Sequence, residues 1–572
     1  MTHGISEYEI RRNMTKEQTW LAQFKTTKEF TLLKQKPLAY FCIEYALSDL
    51  LPTYAGGLGV LAGDYVRELA DQEIPAVAVG LYYQSKYGAR LENTTQQPAL
   101  TPQQQGLKSV MDGDQKPLLI SIPVLDHTMS VRVWEWSNKG VPVYLLDTDV
   151  PENTPEDKII GYTLYDSNKE TRLKQEMILG IGGFRLLEKL NIQPSIYHMN
   201  EGHSSLLTLE IIRHEMQKRK IGFHEAVKLA TNHVVFTNHT LLTAGNEIYN
   251  NDLFSLLLET YAGELQIPMS DILALGAVPE STTFSLSLFG LRLAGKINGV
   301  SRLHGQEAAK VWVGFPIDSV TNGVHISTWD SIQSGQTVAV AHLENKKKLL
   351  AFIQQQTKRQ WDEKTFLIGW ARRMVPYKRP LAIFDELQSF VALAKDAQKP
   401  IHIVMAGIAH QEDVYGKEMI QKLEGWVAKE LQGILVYLDN YNCTMAKLLT
   451  SGCDIWLNTP VVGSEACGTS GMKAALNGTL PLTTKDGWID EVDLTNKGWL
   501  VDSDHINQSV LSTLKEKVIP SFYATDHTSW NSAMQNARQL IQTEFSTTRM
   551  LKDYCERLYL PIITSALSHY AS

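Results

Sequence analysis

Five short apolar segments in the second half of the chain constrain its fold more than any other feature. They begin near Thr365 and read TFLIGWARR, IHIVMAG, ILVYLDN, CDIWLNTP and LPLTT, each followed by a helix-like stretch. Short, nearly continuous apolar runs are typical of strands buried on both faces, which occur in parallel sheets covered by helices. The series therefore predicts a doubly wound α/β sheet that binds ligands beyond the carboxyl ends of its strands.

The first half of the chain predicts a second sheet of the same kind. PLAYFCIEYAL reads as a buried strand, a glycine turn and a helix follow it, and AVAVGLYYQSKYG reads as the next strand, which together make a βαβ unit. The first 36 residues are polar and predict helices. Residues 117–148 alternate apolar and polar positions around turns, so we expect antiparallel strands inserted into this first domain.

Composition limits the classes of protein that this chain can be. A length of 572 residues predicts more than one domain, and 44% hydrophobic with 20% charged residues is ordinary for a globular enzyme. The net charge of -8 argues against a general nucleic-acid binder, because phosphate backbones select basic surfaces. The five cysteines form no C-x-x-C pair, and neither a signal peptide nor a membrane-spanning run is apparent. We expect a cytoplasmic protein that binds no membrane.

The stretch EACGTSGMKAALNGTL, residues 465–480, places a lysine one turn inside a predicted helix that follows a glycine loop. The first amides of a helix lack internal partners and attract phosphate, and glycines let a ligand approach them closely. Lys473 stands just behind this anion-binding geometry. The stretch is not a P-loop, and a tight turn followed by a solvated lysine explains the same residues.

The stretch ARRMVPYKR carries four cations directly after the strand TFLIGW: Arg372, Arg373, Lys378 and Arg379. At the carboxyl end of a strand such a cluster suits phosphate, with forked contacts from arginine and a point charge from lysine. A solvated basic loop is the alternative. The glycines of AGGLG, among them Gly57, can offer amides to an oxyanion or only form a tight turn between strand and helix.

Polar residues after other apolar runs are further candidates. His198 and His203 are five residues apart, which does not place two ligands on one helix face, so we predict no metal site and interpret His203 as structural. His239 at a strand end can contact a ligand. Glu465 and the turn residue Asn322 can accept hydrogen bonds from hydroxyl groups.

Eight segments, in this order, resemble the α-glucan (glycogen and maltodextrin) phosphorylases, and the shorter bacterial members more than the long regulated animal enzymes. They run from about residue 38 to residue 491. The matching segments are YFCIEYALSDLLPTYAGGLGVLAGD, YHMNEGHSSLLTLE, FTNHTLLTAGNE, NGVSRLHGQEAAKVW, SVTNGVHISTW, IGWARRMVPYKRP, IVMAGIAHQED and YLDNYNCTMAKLLTSGCDIWLNTPVVGSEACGTSGMKAALNGTLPLTTKDGW.

The resemblance implies a GT-B fold, with two Rossmann-like doubly wound domains facing across a cleft. We expect an N-terminal domain over 1–327, a cofactor-binding domain over 328–545 and a C-terminal helix over 546–572 that crosses back to the first domain. The implied reaction is retaining phosphorolysis: inorganic phosphate cleaves the terminal α-1,4-linked glucose of a glucan to give glucose 1-phosphate. The implied cofactor is pyridoxal 5′-phosphate, held as a Schiff base on Lys473, whose phosphate exchanges a proton with the substrate phosphate. Relatives are often dimeric, so a homodimer is expected.

Residue roles also follow from the resemblance. Thr469, Ser470, Tyr441 and Arg372 are implied at the cofactor phosphate, and Lys378 between the cofactor and substrate phosphates. Arg373 and the Gly57 amide are implied at the substrate phosphate. The residues implied at the sugar are Glu465, Gly468, Cys467, Asn322, Tyr377 and His239, whose backbone carbonyl would face the developing positive charge.

The sequence departs from the family pattern at several positions. Cys467 stands where serine is usual, Ile408 where lysine is usual, and Asn442 where the long enzymes have arginine. The segment over 330–341 looks shortened, and we expect none of the control that the long regulatory N-terminus provides in the animal enzymes. Two other functions are carried as alternatives. One is a nucleotide-sugar glucosyltransferase of the same fold, and the other is a glucan-binding protein that has lost activity.

Overall fold

The structure is a computed structural model that describes residues 15–85, 100–241, 246–409 and 413–570. These residues form two compact units. The first unit contains the described residues up to Val300, together with Ala308–Val320 and the chain from Thr547 onward. The second unit contains Ser301–Glu307 and Thr321–Ser546. No helix in these ranges combines the length and the apolar character needed to span a lipid bilayer.

The strands are, in chain order, β1 Leu38–Phe41, β2 Ala76–Leu81, β3 Lys108–Ser109, β4 Leu119–Val124, β5 His127–Trp136, β6 Val143–Asp147, β7 Ile196–Asn200, β8 Val234–Thr237, β9 Ile248–Asn250, β10 Thr283–Ser285, β11 Lys296–Gly299, β12 Ile317–Ser319, β13 Phe366–Arg373, β14 Ile401–Ile408, β15 Leu435–Leu438, β16 Ile455–Asn458, β17 Leu480–Thr483 and β18 Trp499–Leu500.

The α-helices are α1 Lys16–Phe24, α2 Lys28–Gln35, α3 Gly57–Asp71, α4 Pro155–Lys158, α5 Lys169–Met177, α6 Gly183–Lys189, α7 Leu207–Arg219, α8 Phe223–Thr231, α9 Asn251–Leu265, α10 Met269–Gly276, α11 Leu286–Arg292, α12 Arg302–Val311, α13 Ile326–Trp329, α14 Val338–Thr357, α15 Leu387–Ala394, α16 Val414–Ala428, α17 Cys443–Gly452, α18 Thr469–Leu476, α19 Ile506–Thr513, α20 Ile519–Phe522, α21 Thr528–Glu544, α22 Thr547–Tyr554 and α23 Leu560–Tyr570. Single π-helical turns at Ile178–Gly182, Leu514–Val518 and Cys555–Tyr559 continue neighbouring helices, and short 3-10 turns lie at Gly202–Ser204, Pro376–Lys378, Ala382–Phe384 and Gly487–Glu491.

The first unit is built on one large sheet of order β12-β11-β8-β7-β1-β2-β6-β5-β3, with β4 paired to β5. The seven strands from β12 to β6 are parallel, and β1 lies between β2 and β7. Leu38 and Tyr40 belong to one apolar cluster, whereas Ala39 and Phe41 belong to another, so β1 is covered on both faces. The strand order reverses direction between β1 and β7, where such sheets bind ligands.

The predicted antiparallel insertion over 117–148 needs a correction. β4 pairs antiparallel with β5, and β5 pairs antiparallel with β6, as expected. However, β6 also pairs parallel with β2, through a register that places Val79 opposite Tyr144. All five residues of β6 are buried, because this strand belongs to the central parallel sheet rather than to the insertion. The prediction assigned it to the antiparallel insertion because residues 117–148 alternate apolar and polar positions around turns, and this pattern does not reveal the parallel pairing with β2.

The C-terminal helices group with the first unit. The hydroxyl groups of Thr547 and Thr548 donate to the two oxygens of Glu68 at 2.6 and 2.8 Å. Tyr559 Oη lies 2.7 Å from His198 Nδ1 and 2.5 Å from Tyr65 Oη, in the buried core beside β7. The last helices therefore complete the polar contacts of this unit's interior.

The second unit has a fully parallel sheet of order β15-β14-β13-β16-β17-β18. In order of appearance this is 3-2-1-4-5-6, the doubly wound arrangement, with its reversal point between β13 and β16. The α/β class with two Rossmann-like, doubly wound sheets of the GT-B kind is therefore confirmed. The reversal point lies where Arg372 and Arg373 end β13, so the cations stand at the ligand edge of the sheet.

The boundary between the two units lies a few residues before the expected position of 327/328. Thr321 Oγ1 donates to Glu491 Oε1 at 2.8 Å, which ties it to the second unit. Ser301 and Arg302 group there as well, because Ser301 Oγ donates to the Ala466 carbonyl at 2.7 Å and the Arg302 amide donates to Glu491 at 2.8 Å.

Candidate active site

The glycine loop before Lys473 leads into helix α18, as the sequence predicted. Gly468 is its N-cap and offers no side-chain hydrogen bond, so the first amides of the helix receive no side-chain cap from that position. Lys473 lies in the last turn of this short helix and is only 5% exposed. Its Nζ lies 4.0 Å from the ring centre of Trp329. The lysine is therefore a buried amine beside an indole face, and the interpretation of a solvated lysine is wrong.

Asn477 joins the segment around Trp329 to the lysine helix. Its Nδ2 donates to the Trp329 carbonyl and to the Lys473 carbonyl, both at 2.8 Å, and its Oδ1 accepts from the Ser331 amide at 2.8 Å. Asn477 is fully buried. No local sequence pattern indicates this role, because Trp329 lies 148 positions away from Asn477 along the chain.

A buried carboxylate neutralises the cations at the end of β13. Glu465 Oε2 accepts from Arg372 Nη1 at 2.7 Å, and Lys378 Nζ donates to both oxygens of Glu465 at 3.1 Å. Arg372 Nη2 also donates to Ser470 Oγ at 3.3 Å. The structure thus brings together four of the predicted site residues, and a Cβ built on Gly468 would lie 2.7 Å from Arg372 Nη2.

The charges of this cluster shift one another's pKa values. Burial raises the pKa of Glu465, but the nearby charges of Arg372 and Lys378 outweigh it and lower the pKa to about 2. The pKa of Lys378 is lowered to about 8, mainly by burial, although Glu465 acts in the opposite direction. Arg373 contributes to that lowering through its positive charge. Lys378 therefore loses its proton at a lower pH than an exposed lysine does.

Asp486 holds the loop that carries Glu465, and sequence analysis missed it. Its carboxylate accepts from the amides of Gly463, Glu465 and Gly487, at 3.1, 2.9 and 2.8 Å. It follows strand β17 in the stretch TTKDGW. The position after a parallel strand was the available signal, since such positions meet at the ligand edge of the sheet.

Other predicted residues of the second unit lie around this cluster. Tyr377 contacts Lys378 through its ring, at 5.2 Å, and Arg373 is paired in register with Ile408 at the end of β14. The Arg372 charge acts on the Tyr441 hydroxyl, which places Tyr441 near the cations. Thr469 is in the first turn of α18. Cys467 is half-buried and Asn322 is buried.

Arg379 does not belong to the phosphate-binding set, and this part of the prediction is wrong. Its guanidinium donates to the carbonyls of Thr459, Pro460 and Ser503 and to Ser503 Oγ. The backbone of Arg379 has a φ of 46°. The hydrogen bonds from its guanidinium to the carbonyls of Thr459 and Pro460 hold the chain after β16 in place. A guanidinium committed to these backbone acceptors braces the site instead of binding its ligand.

Gly57 and His239 lie in the first unit. Gly57 is the first residue of helix α3, and a Cβ built on it would meet no atom of the described residues within 4 Å, its chain neighbours aside. Glu44 braces the turn before it, because its Oε2 accepts from the amides of Ala55 and Gly56 at 2.7 and 3.1 Å. The Gly57 amide therefore lies at an open helix N-terminus.

His239 is held by two residues from the end of β7. Its Nε2 donates to Asn200 Oδ1 at 2.6 Å, and its backbone amide donates to Glu201 Oε2 at 2.6 Å. Asn200 Nδ2 in turn contacts Cys42 Sγ at 3.2 Å. Neither Asn200 nor Glu201 was predicted as a site residue, although both lie in the stretch YHMNEGH.

His203 lies in a buried cluster with Glu176 and Glu247, whose ligand atoms are within 4.8 Å of one another. Arg172 is ion-paired with both carboxylates, at 3.3 Å to Glu176 and 3.2 Å to Glu247. Tyr249 Oη donates to Glu176 at 2.6 Å. Burial lowers the pKa of His203 to about 3, so the ring is neutral. The Arg172 guanidinium supplies the positive charge that balances the two carboxylates of this cluster. This arrangement fits a structural role for His203.

The residues around Lys473 fit a cofactor that carries a phosphate and an aldehyde. Arg372 Nε is buried and has no hydrogen-bond partner among the described residues, so one donor of this guanidinium remains for an anion. Gly468 allows close approach, and the amides of Thr469 and Ser470 open helix α18. Lys473 supplies a buried amine from the same helix. These features suit pyridoxal 5′-phosphate.

Comparison with known proteins agrees with this geometry. The family model for carbohydrate phosphorylases matches residues 182–265 and 327–497, which contain His239 and the whole cluster from Arg372 to Lys473. The chain is 31% identical to maltodextrin phosphorylase of Thermococcus litoralis, over 98% of this chain and 74% of that protein. It is 32% identical to glycogen phosphorylase of Mycobacterium tuberculosis, over 92% and 71%, and 32% identical to glycogen phosphorylase of Aquifex aeolicus, over 92% and 87%. The chain therefore belongs to the carbohydrate phosphorylase family.

Proposed function

We propose that this enzyme, a phosphorylase of the glycosyltransferase class, cleaves terminal α-1,4-linked glucose from a glucan with inorganic phosphate and retains the anomeric configuration. The products are glucose 1-phosphate and a glucan shortened by one unit. The observation that carries the proposal is the cluster of Arg372, Lys378 and Glu465, which contacts Ser470 of the helix that holds the buried amine of Lys473. Such a concentration of cations at the reversal point of a doubly wound sheet supports binding of phosphate groups.

The cofactor in this proposal is pyridoxal 5′-phosphate, held by Lys473 and by the residues at the N-terminus of α18. When bound, it supplies a phosphate that exchanges a proton with the substrate phosphate. Thr469 and Ser470 offer amides, and Arg372 offers the donor that has no hydrogen-bond partner. The positive charge of Arg372 acts on the Tyr441 hydroxyl, which supports a place for Tyr441 near the same phosphate.

The remaining residues bind and orient the substrates. Arg373 and the Gly57 amide bind the substrate phosphate, and Lys378 moves or holds a proton between two phosphates, which suits its pKa of about 8. Glu465 and the Gly468 amide hold sugar hydroxyls, with Tyr377, Cys467 and Asn322. The His239 carbonyl faces the positive charge that develops on the sugar. A second phosphate in the cluster competes with the Glu465 carboxylate for Arg372 and Lys378. This competition frees the carboxylate to accept hydrogen bonds from the sugar.

The test combines a spectrum with a substrate assay. Protein supplied with pyridoxal 5′-phosphate is reduced with borohydride and mapped, and we expect a phosphopyridoxyl group on Lys473 and none in Lys473→Ala. The loaded enzyme should release glucose 1-phosphate from maltodextrin and inorganic phosphate. Loss of both results overturns the proposal. Turnover of a nucleotide sugar without the cofactor would indicate a glucosyltransferase, and maltodextrin binding without phosphorolysis would indicate an inactive binder.

Several finer points belong to the same proposal. The substrate class is an α-1,4-glucan or maltodextrin, and assays with glycogen, starch and short maltodextrins select among them. We propose that the reaction takes place in the cytoplasm and that the enzyme is a homodimer, which light scattering tests. The domain roles, with the sugar side in the first unit and the cofactor in the second, are tested by the same lysine mapping.

A further inference from the structure

Glu201 has a backbone conformation that is rare for a residue with a side chain. Its φ is 77° and its ψ is 171°, a region that is almost restricted to glycine. The residue directly follows β7, and its amide donates to the Thr237 carbonyl at 3.0 Å, which continues the pairing of β7 with β8. Strained backbone of this kind persists where surrounding contacts hold it, and it concentrates at functional sites.

The strained backbone brings the Glu201 carboxyl group to the start of the loop after β8. Oε2 accepts from the His239 amide at 2.6 Å, and Oε1 accepts from Asn238 Nδ2 at 3.4 Å. The preceding residue, Asn200, accepts from His239 Nε2 at 2.6 Å. Two consecutive residues therefore hold both the backbone amide and the ring of one histidine.

The carboxyl group is buried and has a raised pKa. Glu201 is 3% exposed, and burial raises its pKa to about 8, although the hydrogen bond from His239 acts in the opposite direction. The neutral acid therefore dominates near neutral pH.

We propose that Glu201 is a positioning residue, whose carboxyl group anchors the backbone amide of His239 so that the backbone carbonyl of the same residue faces the reacting sugar. The inference rests on the proposed function, because it uses the role of that carbonyl. Glu201 acts through His239 and need not touch the substrate. An interaction that matters when charge develops affects kcat more than KM.

The experiment compares three variants of the loaded enzyme in phosphorolysis of maltodextrin. Glu201→Gly removes the acceptor and also the backbone strain, so any loss of activity cannot come from strain. Glu201→Gln keeps a neutral acceptor of the same length, and Glu201→Met keeps the length without an acceptor. The matched control is Glu280→Gly, because Glu280 is exposed, lies in the same unit and also has a positive φ, of 57°.

We expect Glu201→Gly and Glu201→Met to lower kcat at least tenfold, with KM for phosphate and maltodextrin within threefold of the wild type. Glu201→Gln should keep at least a third of kcat, and Glu280→Gly should not change it. If Glu201→Gly fails to fold, the Gln and Met pair decides. Equal kcat in the Gln and Met variants, or a Gly variant within twofold of the wild type, overturns the inference. A wild type that forms no glucose 1-phosphate overturns the proposed function and the inference with it.

Discussion

Glu465 Oε2 accepts a hydrogen bond from Arg372 Nη1 at 2.7 Å, so the guanidinium of Arg372 is paired with a carboxylate. The same carboxylate accepts from Lys378. An anion that enters this cluster therefore competes with Glu465. The residue acts both as a counter-ion and, in the proposed reaction, as an acceptor of sugar hydroxyls.

Replacing Glu465 with Gln should shift the pH dependence of phosphorolysis. The Glu465 charge raises the pKa of Lys378, whereas burial and the arginines lower it, so removing the charge takes this pKa below about 8. The basic limb of kcat/KM for phosphate should move to lower pH by about 1–3 units. Glu424→Gln, an exposed carboxylate of helix α16, is the control. An unchanged basic limb would contradict the assignment of that limb to Lys378.

Gly468→Ala should impair activity and leave the fold intact. The new Cβ would lie 2.7 Å from Arg372 Nη2 and 2.9 Å from Glu465 Oε1, so both charged ends must move. We expect kcat/KM to fall by up to about 100-fold, with little change in Tm. Gly425→Ala is the matched control, because a Cβ there would meet no atom of the described residues within 4 Å, its chain neighbours and its own helix backbone aside, and alanine favours the helix by up to about 1 kcal/mol. Full activity of Gly468→Ala would contradict the expectation that Arg372 and Glu465 must lie this close to residue 468 for activity.

Asn442→Ala should destabilise the second unit. Asn442 is the N-cap of α17, and its Oδ1 accepts from the Met445 amide at 2.8 Å. Loss of this cap costs about 0.5–2 kcal/mol of the free energy of unfolding. Asn442→Asp keeps the acceptor and should remain near the wild type in urea denaturation. The helix cap is therefore a local reason for asparagine, where the long enzymes have arginine, at this position. Equal stability of the Ala and Asp variants would refute this explanation.

Asp454→Ala should be among the most destabilising single changes in the second unit. Asp454 Oδ2 accepts from Lys346 Nζ at 2.6 Å and from the Leu367 amide at 2.8 Å, and all three residues are buried. Removal leaves a buried ammonium without its counter-ion, which costs about 3–5 kcal/mol. Adding Lys346→Met to this variant should recover part of the loss, as chemical denaturation measures. If stability does not recover, then loss of the hydrogen bond from the Leu367 amide, and not the unpaired charge of Lys346, accounts for most of the destabilisation.

Glu201→Gln should flatten the pH dependence of stability. The folded-state pKa of Glu201, about 8, lies above its usual value of 4.5, so the folded protein binds more protons between these values. The stability that this group contributes is fully present below about pH 4.5 and is lost as the pH rises through about 8. The wild type should therefore lose more unfolding free energy than the variant between pH 5 and 8. Parallel curves would show that Glu201 ionises normally.

The fold was largely predictable because the signals are local. Buried strands of both sheets read as short apolar runs, and the glycine loop before Lys473 read as a helix start. Several polar residues after the strands were likewise found, since a parallel sheet places them at one edge, but Asp486 after β17 and Glu201 after β7 were missed. The exceptions were strand β6, whose parallel partner β2 lies more than sixty residues away, and Arg379, whose carbonyl partners come from two later loops.

The sequence alone therefore determined which elements form, which family they belong to and which residue types meet at the ligand edge. Only the tertiary structure decided how those residues are held. Trp329 lies over Lys473, Asn477 joins their segments, and Glu201 reaches His239 through a strained backbone. Each of these contacts joins residues far apart along the chain. Such contacts depend on packing geometry and burial, which apolar periodicity and short motifs do not encode.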